Sequence, residues 1–349
     1  MDGVDAALLR SDGEAIAAFG PALTLPYGDG LRAAIRAVLG GAGDTAAVAR
    51  AVTVAHAEAV AALLAQAGMA AADIAWLGFH GHTLLHRPDA RPRRTWQLGD
   101  GGLLARLTGI ATVSDFRAAD VAMGGQGAPL VPLYHAALAR HAGLAPPLLV
   151  LNLGGVGNVT CIGESEADML AFDTGPANAL VDDWLRRHTG AAHDEGGALA
   201  AAGTVDEAAL ARLMAHPYFE APPPKSLDRD DFAAHAETVT GHLSPADGAA
   251  TLTAFTAASV ARGLGHLPHR PQRCLVAGGG RHNATMMRML TRYLNMPVEA
   301  VEAAGWSGDH LEAQAFAFLA ARAVRGLPLS LPGTTGVRMP VTGGRLWRV

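Results

Sequence analysis

The chain carries few charges for its length, and this shortage excludes some functions at once. Charged residues make up 17% of the 349 positions, against roughly 25% in an average globular protein. The formal net charge is -5, so no basic excess is present to hold a phosphate backbone. A nucleic-acid partner is therefore not expected. Half of the residues are hydrophobic, which favours a globular chain.

Cysteine is almost absent. Cys161 and Cys274 are the only two, and both lie in apolar, strand-like runs, so we expect buried reduced thiols rather than a disulfide framework. Reduced thiols favour a cytoplasmic location. The longest uncharged stretch, residues 142–163, contains prolines, asparagines and glycines that would be badly placed in lipid. We expect a buried hairpin there, and no membrane partner.

Lysine is the scarcest basic residue, because Lys225 is the only lysine among 27 lysines and arginines. A strong bias from lysine towards arginine would leave a lysine where its compact, rotatable charge is needed, since the two side chains are not interchangeable at a point-charge contact. Chance survival of one exposed lysine explains the same observation. Both interpretations remain open at this point.

The length of the chain predicts its domain organisation. A chain of 349 residues exceeds the usual size of one hydrophobic core, so two domains with a cleft between them are expected. We place the first domain at residues 1–125 and the second at 126–334, with 335–349 packing back on the first. A cleft between domains suits an enzyme with two substrates.

Hydrophobic spacing predicts alternating helices and strands, and thus an α/β fold. Helices are predicted at 46–67, 177–188, 205–215, 249–267, 284–293 and 311–324. Strands are predicted at 73–79, 110–114, 148–153, 158–162, 169–172 and 273–277. Three strands follow one another after residue 148, so their sheet must be partly antiparallel.

Two glycine-rich turns are the candidate phosphate-binding segments. Neither Gly-x-x-x-x-Gly-Lys-Ser/Thr nor Gly-x-Gly-x-x-Gly occurs in the sequence, which disfavours the two common nucleotide folds. Residues 152–158, Asn-Leu-Gly-Gly-Val-Gly-Asn, form a hairpin tip whose backbone N–H groups can cradle phosphate. Residues 277–283 follow a buried strand and open a helix, a context that can seat a nucleotide. Either segment, taken alone, is also compatible with an ordinary turn.

Further polar motifs stand at or near predicted strand ends. They are Gly81 and Thr83 in His-Gly-His-Thr, Asp115-Phe116-Arg117, Asp120-Val121-Ala122, the run from Gly124 to Pro132, Leu151 to Gly155, Phe172-Asp173-Thr174-Gly175-Pro176, Pro224-Lys225-Ser226 and Gly278-Gly279-Gly280. Two glycine-rich turns with an acidic strand end are the layout of actin-like ATPases and sugar kinases, in which ATP lies between two domains.

With these motifs the chain resembles, over nearly its whole length, the bacterial anhydro-N-acetylmuramic acid kinases. The resemblance implies a two-domain actin-like (ribonuclease H-like) fold with mixed sheets flanked by helices. It implies the conversion of 1,6-anhydro-N-acetylmuramic acid and water, with ATP and Mg²⁺, to N-acetylmuramic acid 6-phosphate in peptidoglycan recycling. A homodimer is also implied.

The resemblance assigns roles to residues of this chain. Asp173 matches the catalytic base, expected to be unprotonated at pH 7, which deprotonates the attacking water. The candidate ATP contacts are Asp2, Gly3, Asp5, Asn152, Gly154, Gly155, Asn158, Gly278, Gly279, Gly280 and Asn283, with Asp2 also the candidate Mg²⁺ ligand. The candidate sugar contacts are His80, Thr83, Gln97, Arg117, Asp120, Gln126, Lys225 and Glu312. For some of these, a cap, a turn former or a surface charge is the plainer interpretation.

Three features depart from the family pattern. His82 stands where the family has Gln, and Asp100 where it has Asn, so sugar contacts are expected to be rearranged. Family members begin with a strand and Gly-x-Met-Ser-Gly-Thr-Ser-x-Asp-Gly-x-Asp, whereas this sequence begins within the end of that motif, at Met1-Asp2-Gly3-Val4-Asp5. The first phosphate-binding turn and one sheet edge are therefore expected to be missing.

Two other functions fit parts of the sequence. His80 and His82 point to one face of a strand and are a possible start of a metal site, which would make the protein a metal-dependent hydrolase. An inactive nucleotide-binding member of the same fold is the second alternative, favoured by the shortened start.

Overall fold

The computed structural model describes residues 3–349, and the chain forms two compact units. Unit 1 consists of the residues up to Gly143 together with Asp309–Val349, and unit 2 of Leu144–Gly308. The predicted boundaries at 125 and 334 differ from these. The segment between 126 and 143 belongs to unit 1 because its helix is anchored there. Tyr134 donates a hydrogen bond of 2.9 Å to Gln314, and both side chains are buried.

Unit 1 begins with an antiparallel hairpin and continues through short strands and helices. Its elements up to residue 143 are β1 (Gly3–Ser11), β2 (Ile16–Pro26), α1 (Asp29–Ala37), α2 (Thr45–Ala67), β3 (Leu77–Gly78), β4 (His82–Arg87), β5 (Arg94–Leu98), α3 (Gly101–Thr108), β6 (Thr112–Ser114), α4 (Ala118–Ala122) and α5 (Pro132–His141).

Unit 2 contains the elements from β7 to β11, in the order of the chain. They are β7 (Leu148–Leu153), β8 (Val156–Ile162), β9 (Leu170–Pro176), α6 (Asn178–His188), α7 (Ala198–Ala202), α8 (Glu207–Met214), α9 (Ala233–Thr240), α10 (Pro245–Gly263), β10 (Cys274–Ala277), α11 (Ala284–Leu294) and β11 (Val298–Ala300). The chain then returns to unit 1 with α12 (Leu311–Val324), α13 (Pro332–Thr335) and β12 (Arg345–Trp347).

The sheet of unit 2 has the strand order β11-β10-β7-β8-β9. β7, β8 and β9 are antiparallel neighbours, while β10 and β11 run parallel to β7. Counted from β7, the order is 3-2-1-4-5, the ribonuclease H-like topology from which actin-like domains are built. β10 is buried at all four positions, as expected of a strand covered on both faces. The predicted α/β fold class is confirmed.

The strands of unit 1 that lie within residues 3–349 form separate sheets. They are β1-β2, β12-β6-β3 and β4-β5. The C-terminal strand β12 pairs antiparallel with β6, so the end of the chain completes a sheet of this unit. The predicted strand over 73–79 is shorter than expected, because 71–73 form a helical turn and only Leu77–Gly78 pair with β6.

Most long helices lie where the hydrophobic spacing places them. α2, α6, α8, α11 and α12 agree with their predicted bounds to within two residues at most ends. α10 begins four residues earlier than predicted, because Pro245 occupies its first turn and Ser244 caps it by accepting from the Asp247 N–H. α2 is long and apolar enough to cross a membrane by length and composition alone, which the sequence reasoning overlooked.

The stretch of residues 142–163 forms the hairpin expected of it. β7 and β8 pair from Leu148–Ile162 to Leu153–Gly157. Cys161 and Cys274 are free and buried, as predicted. Burial raises the pKa of the Cys161 thiol to about 11, so this thiol is inert at neutral pH.

Candidate active site

Three polar side chains lie side by side on the sheet of unit 2. Asn152 of β7 pairs with Asn158 of β8, and Asn158 pairs with Asp173 of β9. Directly opposed residues of neighbouring strands point to the same face, with Cβ atoms about 5 Å apart. β7 is otherwise buried and apolar, so this polar row is an exception that a hydrophobic core does not explain. The row unites three residues predicted separately from the sequence.

Asp173 is held by a segment that runs beside its strand. The Leu227 N–H donates to one carboxylate oxygen of Asp173 at 2.9 Å. The Asp173 N–H donates to the Lys225 carbonyl at 3.0 Å, and the Tyr218 hydroxyl donates to the Asp173 carbonyl at 2.6 Å. Asp173 lies within β9 rather than after it, because that strand extends to Pro176.

Burial raises the pKa of Asp173 to about 7, and the hydrogen bond from Leu227 opposes that rise. The expectation of a fully unprotonated carboxylate at pH 7 therefore needs correction. With a pKa raised to that range, the carboxyl is not fully ionised at pH 7 in the protein without substrate. A pKa near the working pH is what general base catalysis favours, so the shift supports a role in proton transfer.

The glycine-rich hairpin between β7 and β8 closes with the Leu153–Gly157 pair, so Gly154, Gly155 and Val156 connect the two strands. The prediction of a turn over 154–157 was one residue too long, because Gly157 already pairs with Leu153, and Val156 pairs with Pro176 of β9. The Gly154 carbonyl accepts from the Asn178 N–H at 3.0 Å, and the Gly155 carbonyl accepts from the Ala177 N–H at 3.0 Å. The turn is thereby fixed at the start of α6.

The second glycine-rich turn lies directly against the first. Gly278 has φ of +76°, and a Cβ there would stand 2.6 Å from both Asn152 Oδ1 and the Leu153 carbonyl. A Cβ on Gly280 would stand 2.6 Å from Leu153 Cβ, whereas one on Gly279 would meet only Asn178 Nδ2, at 3.8 Å. Two of the three glycines are thus required by close approach of β7, and Gly279 is not.

Asn283 has a structural role in this turn. Its side chain accepts from the Met286 N–H at 2.9 Å and caps α11. The plainer interpretation as a cap therefore accounts for the observed contact, and its role as an adenosine contact stays a prediction.

In unit 1, Arg117 joins two of the predicted sugar-contact segments. Its Nε donates to His80 Nε2 at 2.9 Å, and its Nη1 donates to the Gly127 carbonyl at 2.7 Å. Burial lowers the pKa of Arg117, while the carboxylates of Glu312 and Asp120 raise it. Arg117 thus fixes the His80 turn against the loop that contains Gly127.

His80 is neutral in this arrangement. Because Arg117 can only donate, Nε2 of His80 accepts and Nδ1 donates to the Gly81 carbonyl at 2.8 Å. Burial, together with the Arg117 charge, lowers the pKa of His80 to about 3. His82 Nε2 lies 2.7 Å from the Tyr27 hydroxyl. His80 uses both ring nitrogens inside unit 1, which argues against a His80–His82 metal pair.

Asp120 organises the loop that carries Gln126. One of its oxygens accepts from the Gly127 N–H and the other from the Thr335 hydroxyl, both at 2.6 Å. The Gln126 N–H donates to the Thr335 carbonyl at 2.7 Å, and its side chain donates to Asp89 at 3.0 Å. Asp120 is buried, so its contacts are those of a loop former.

Thr83 and Gln97 face each other across the β4–β5 hairpin. Gln97 Nε2 donates to Thr95 at 2.8 Å and to Thr83 at 3.3 Å. Gln97 Oε1 is buried and without a hydrogen-bond partner within the part of the chain that the structure describes. Leaving such an atom unpaired is costly, so a bound hydroxyl or amide of a substrate would satisfy it.

A cavity of about 360 Å³ in unit 1 collects other predicted residues. Its lining includes Gly3, Asp5, His80, Thr83 and Glu312, beside apolar side chains such as those of Leu63 and Phe316. Asp5 accepts a hydrogen bond from Thr24 across the first hairpin. Asp2, the remaining predicted ATP contact and metal ligand, lies outside the described residues.

Asp100, one departure from the family pattern, has a local explanation. Its side chain accepts from the Leu103 N–H at 2.9 Å and caps α3, and its own N–H donates to Thr53 at 3.0 Å. Both Asp and Asn are good caps, so this difference does not disturb the helix.

Sequence reasoning missed several residues that hold the site. Asn178 donates to the Leu153 carbonyl at 2.9 Å, and buried Arg281 donates to the Gly278 carbonyl and to Glu302, both at 2.9 Å. Tyr218 and Leu227 hold Asp173. Arg281 stands beside the glycine cluster and Asn178 follows the Phe-Asp-Thr-Gly-Pro motif closely, whereas Tyr218 and Leu227 lie 45 and 54 residues from Asp173 and carried no sequence signal.

Comparison with known proteins places these motifs in one family. The family model for anhydro-N-acetylmuramic acid kinase matches residues 1–348. The chain is 58% identical to the anhydro-N-acetylmuramic acid kinase of Rhodospirillum rubrum over 352 aligned positions, covering 99% of this chain and 91% of the relative. The corresponding protein of Paramagnetospirillum magneticum is 57% identical, with 99% and 96% covered. That of Acidiphilium cryptum is 55% identical, with 100% and 95% covered.

Proposed function

The chain belongs to the anhydro-N-acetylmuramic acid kinase family, and from that premise we propose that it phosphorylates 1,6-anhydro-N-acetylmuramic acid with hydrolytic opening of the anhydro ring. The product is N-acetylmuramic acid 6-phosphate, an intermediate of peptidoglycan recycling. The observation that carries this proposal is Asp173, a shielded carboxyl with a pKa near 7 in a row with two asparagines.

Asp173 supplies the proton transfer that ring opening needs. One of its oxygens accepts from the Leu227 N–H, and the carboxylate takes a proton from the water that attacks the anomeric carbon. The bond from that carbon to oxygen 6 breaks as the carbon–water bond forms. Oxygen 6 keeps the electron pair and attacks the γ-phosphorus of ATP, so ADP leaves.

The glycine turns at 154–155 and 278–280 are the proposed ATP contacts, with Asn152 and Asn158 beside them. Phosphoryl transfer depends on positioned donors more than on covalent chemistry, and two turns fixed by β7 and α6 supply a rigid frame. Asn283 and, in unit 1, Gly3 and Asp5 are also proposed to contact ATP.

Mg²⁺ is proposed to accompany the nucleotide. Among residues 3–349, no group of three or more His, Cys, Asp or Glu side chains is arranged to hold a metal. Mg²⁺ needs only one or two carboxylates when substrate phosphates and water complete its shell, so the residues present are compatible with it. The ion would neutralise phosphate charge, and Asp2 remains its proposed ligand.

Sugar binding is proposed for unit 1. Gln97 Oε1, which accepts no hydrogen bond from residues 3–349, and the neighbouring Thr83 would contact the sugar directly. Arg117, Asp120 and Gln126 hold the surrounding turns, and we propose that His80 and Glu312 complete the sugar site from the cavity wall. We also propose a homodimer in the cytoplasm, in keeping with the resemblance and with two free buried thiols.

An assay of products tests the proposal. The purified protein is incubated with ATP, Mg²⁺ and 1,6-anhydro-N-acetylmuramic acid, and sugar products are identified by mass. We expect the product to gain both water and phosphate. Unphosphorylated N-acetylmuramic acid would instead indicate a hydrolase, and ATP binding without any sugar product would indicate an inactive nucleotide-binding member.

Substitution of the base gives the sharper result. Asp173→Asn should lower the rate about 10²- to 10⁴-fold, because the water loses its proton acceptor. Glu195→Gln, which changes a carboxylate that is 92% exposed in the same unit, is the matched control and should keep wild-type activity. Full activity of Asp173→Asn would refute the role of Asp173.

A further inference from the structure

The segment from Tyr218 to Leu227, called here the strap, lies along the edge strand of the unit 2 sheet. β9 ends the strand order on that side. Three hydrogen bonds connect the strap to a single residue of β9, and that residue is Asp173: Leu227 N–H to its carboxylate, its own N–H to the Lys225 carbonyl, and the Tyr218 hydroxyl to its carbonyl. Both the side chain and the main chain of the base are therefore positioned by the strap.

Lys225, near one end of the strap, contacts Tyr218 at the other end. Its Nζ donates to the Tyr218 carbonyl at 2.9 Å and stands 4.5 Å from the centre of the Tyr218 ring. The Phe172 ring, from the residue before Asp173, lies 6.0 Å from the same nitrogen. A compact ammonium with rotatable donors suits a contact above an aromatic face combined with a bond to a carbonyl. The only lysine of the chain is thus engaged by its own segment.

We propose that Lys225 is a positioning residue. By bonding one end of the strap to the other, it allows Leu227 and Tyr218 to hold Asp173 in place and to keep its carboxyl shielded from water. The inference rests on the proposed function for the reaction that Asp173 serves. It differs from the expectation that Lys225 contacts an anionic group of the sugar, which stays a prediction, because the Tyr218 carbonyl occupies only one of the three donors of the ammonium.

The direction in which the pKa of Asp173 moves distinguishes a positioning role of Lys225 from a direct effect of its charge. The titratable or charged groups on the segments packed against Asp173 are Tyr218, Glu220 and Lys225 on the strap, Asp228 directly after it, Asp247 and Arg262 on α10, and the Cys161 thiol on β8. If the Lys225 charge acted on Asp173 directly, removing it would raise the pKa of the carboxyl. If Lys225 acts through the strap, loosening the strap hydrates the carboxyl. Burial is the main cause of the raised pKa, so that pKa should then fall.

The test compares Lys225→Met, Tyr218→Phe and the double variant with the wild type. Lys225→Met keeps the length of the side chain but loses the donor. We expect kcat to fall about 10- to 100-fold, because a small displacement of a catalytic group costs that much. We expect KM for the sugar to stay within about twofold, and the acid limb of the kcat profile to move to lower pH by about one unit.

The double variant shows whether both residues act through one strap. Tyr218→Phe removes only a hydroxyl, so it folds even where Lys225→Met does not, and it should shift the acid limb in the same direction. The double variant should be little slower than Lys225→Met alone, since non-additivity marks residues that act as a unit. Arg187→Met, which removes an exposed cation of unit 2, is the control and should leave kcat and the profile unchanged.

A titration of Asp173 by carbon-13 NMR, with its signal assigned by Asp173→Asn, supplies a readout that needs no sugar. The apparent pKa should be lower in Lys225→Met than in the wild type. An unchanged or raised pKa, a KM increase that accounts for the whole loss of activity, or additive effects in the double variant would each overturn the proposal. If the wild type forms no sugar phosphate but the pKa shift is seen by NMR, the proposed function is refuted, whereas the positioning of Asp173 by Lys225 is supported.

Discussion

The two units hold their polar site residues on sheets of different completeness. In unit 2, five strands form one sheet, and Asn152, Asn158 and Asp173 stand in one row across it. In unit 1, strands within residues 3–349 form sheets of two, three and two strands, and Arg117 and Asp120 are both held by hydrogen bonds to the loop residue Gly127. A continuous sheet fixes side chains through its register, whereas separate sheets need side-chain networks to do so.

Shortening a core side chain should lower the free energy of unfolding more in unit 2 than in unit 1. This is the largest effect that we expect. Leu151 of β7 is fully buried in the middle of the unit 2 sheet, and Leu84 of β4 is 5% exposed in a two-stranded sheet. Leu151→Ala should lower the free energy of unfolding by about 4 kcal/mol and Leu84→Ala by about 2 kcal/mol. Urea unfolding measures both, with Leu107→Ala, 50% exposed, as the neutral control. Equal losses would contradict the comparison.

Two glycines with positive φ sharpen the contrast in packing. Gly278→Ala in unit 2 places a Cβ 2.6 Å from two oxygens at φ +76° and should cost about 2–4 kcal/mol. Gly68→Ala in unit 1 has φ +64° and meets nothing within 4 Å, so backbone strain alone should cost about 1 kcal/mol. Thermal unfolding measures the difference. Gly279→Ala creates neither a steric clash nor strain at positive φ, so it should change the free energy of unfolding very little.

The partly buried carboxyl of Asp173 and the fully buried one of Asp120 should respond with opposite signs to amide substitution. Folding raises the pKa of Asp173 from its ordinary value of 3.8 to about 7, so its contribution to stability is full below pH 3.8 and is lost as the pH rises through 7. Asp173→Asn should therefore stabilise the protein by about 1–3 kcal/mol at pH 8 and hardly at all near pH 4.

Asp120 is the counterpart in unit 1. Its oxygens accept from Gly127 and Thr335 and its charge favours ionised Arg117, so Asp120→Asn should destabilise by about 1–3 kcal/mol. Unfolding curves at both pH values test the pair. Stabilisation by Asp120→Asn at pH 8 would contradict the structural role assigned to it.

The smallest predicted effects concern helix caps, where the units should not differ. Asp100 caps α3 in unit 1 and Asn283 caps α11 in unit 2, each by accepting one backbone N–H at 2.9 Å. Each alanine variant should cost about 1 kcal/mol, measured by urea unfolding. A much larger loss of ATP affinity than of stability in Asn283→Ala would show that Asn283 also contacts the nucleotide.

The sequence predicted unit 2 better than unit 1. β7, β8 and β10 are buried apolar runs bounded by glycine turns, a pattern with one ready interpretation. In unit 1, the hairpins β1–β2 and β4–β5 were missed, because β1 and β2 are rich in alanine and glycine and β4 carries two histidines and an arginine. Such strands are stabilised by pairing rather than by their own propensity.

The candidate site shows the same division. Motifs identified Asp173 and the two glycine turns, because clustered glycines and the run Phe-Asp-Thr-Gly-Pro are recognisable in the order of the residues alone. Motifs did not identify Tyr218 and Leu227, which lie 45 and 54 residues from the aspartate they hold.

The sequence by itself determined the α/β class, the helices and the family of this protein, since each depends on local spacing and on residue types in order. Only the tertiary structure decided what Asp173 and Lys225 can do. The pKa of the carboxyl depends on burial by distant segments, and the partner of the ammonium depends on how the strap folds back on β9. Both are set by three-dimensional contacts that no local pattern encodes.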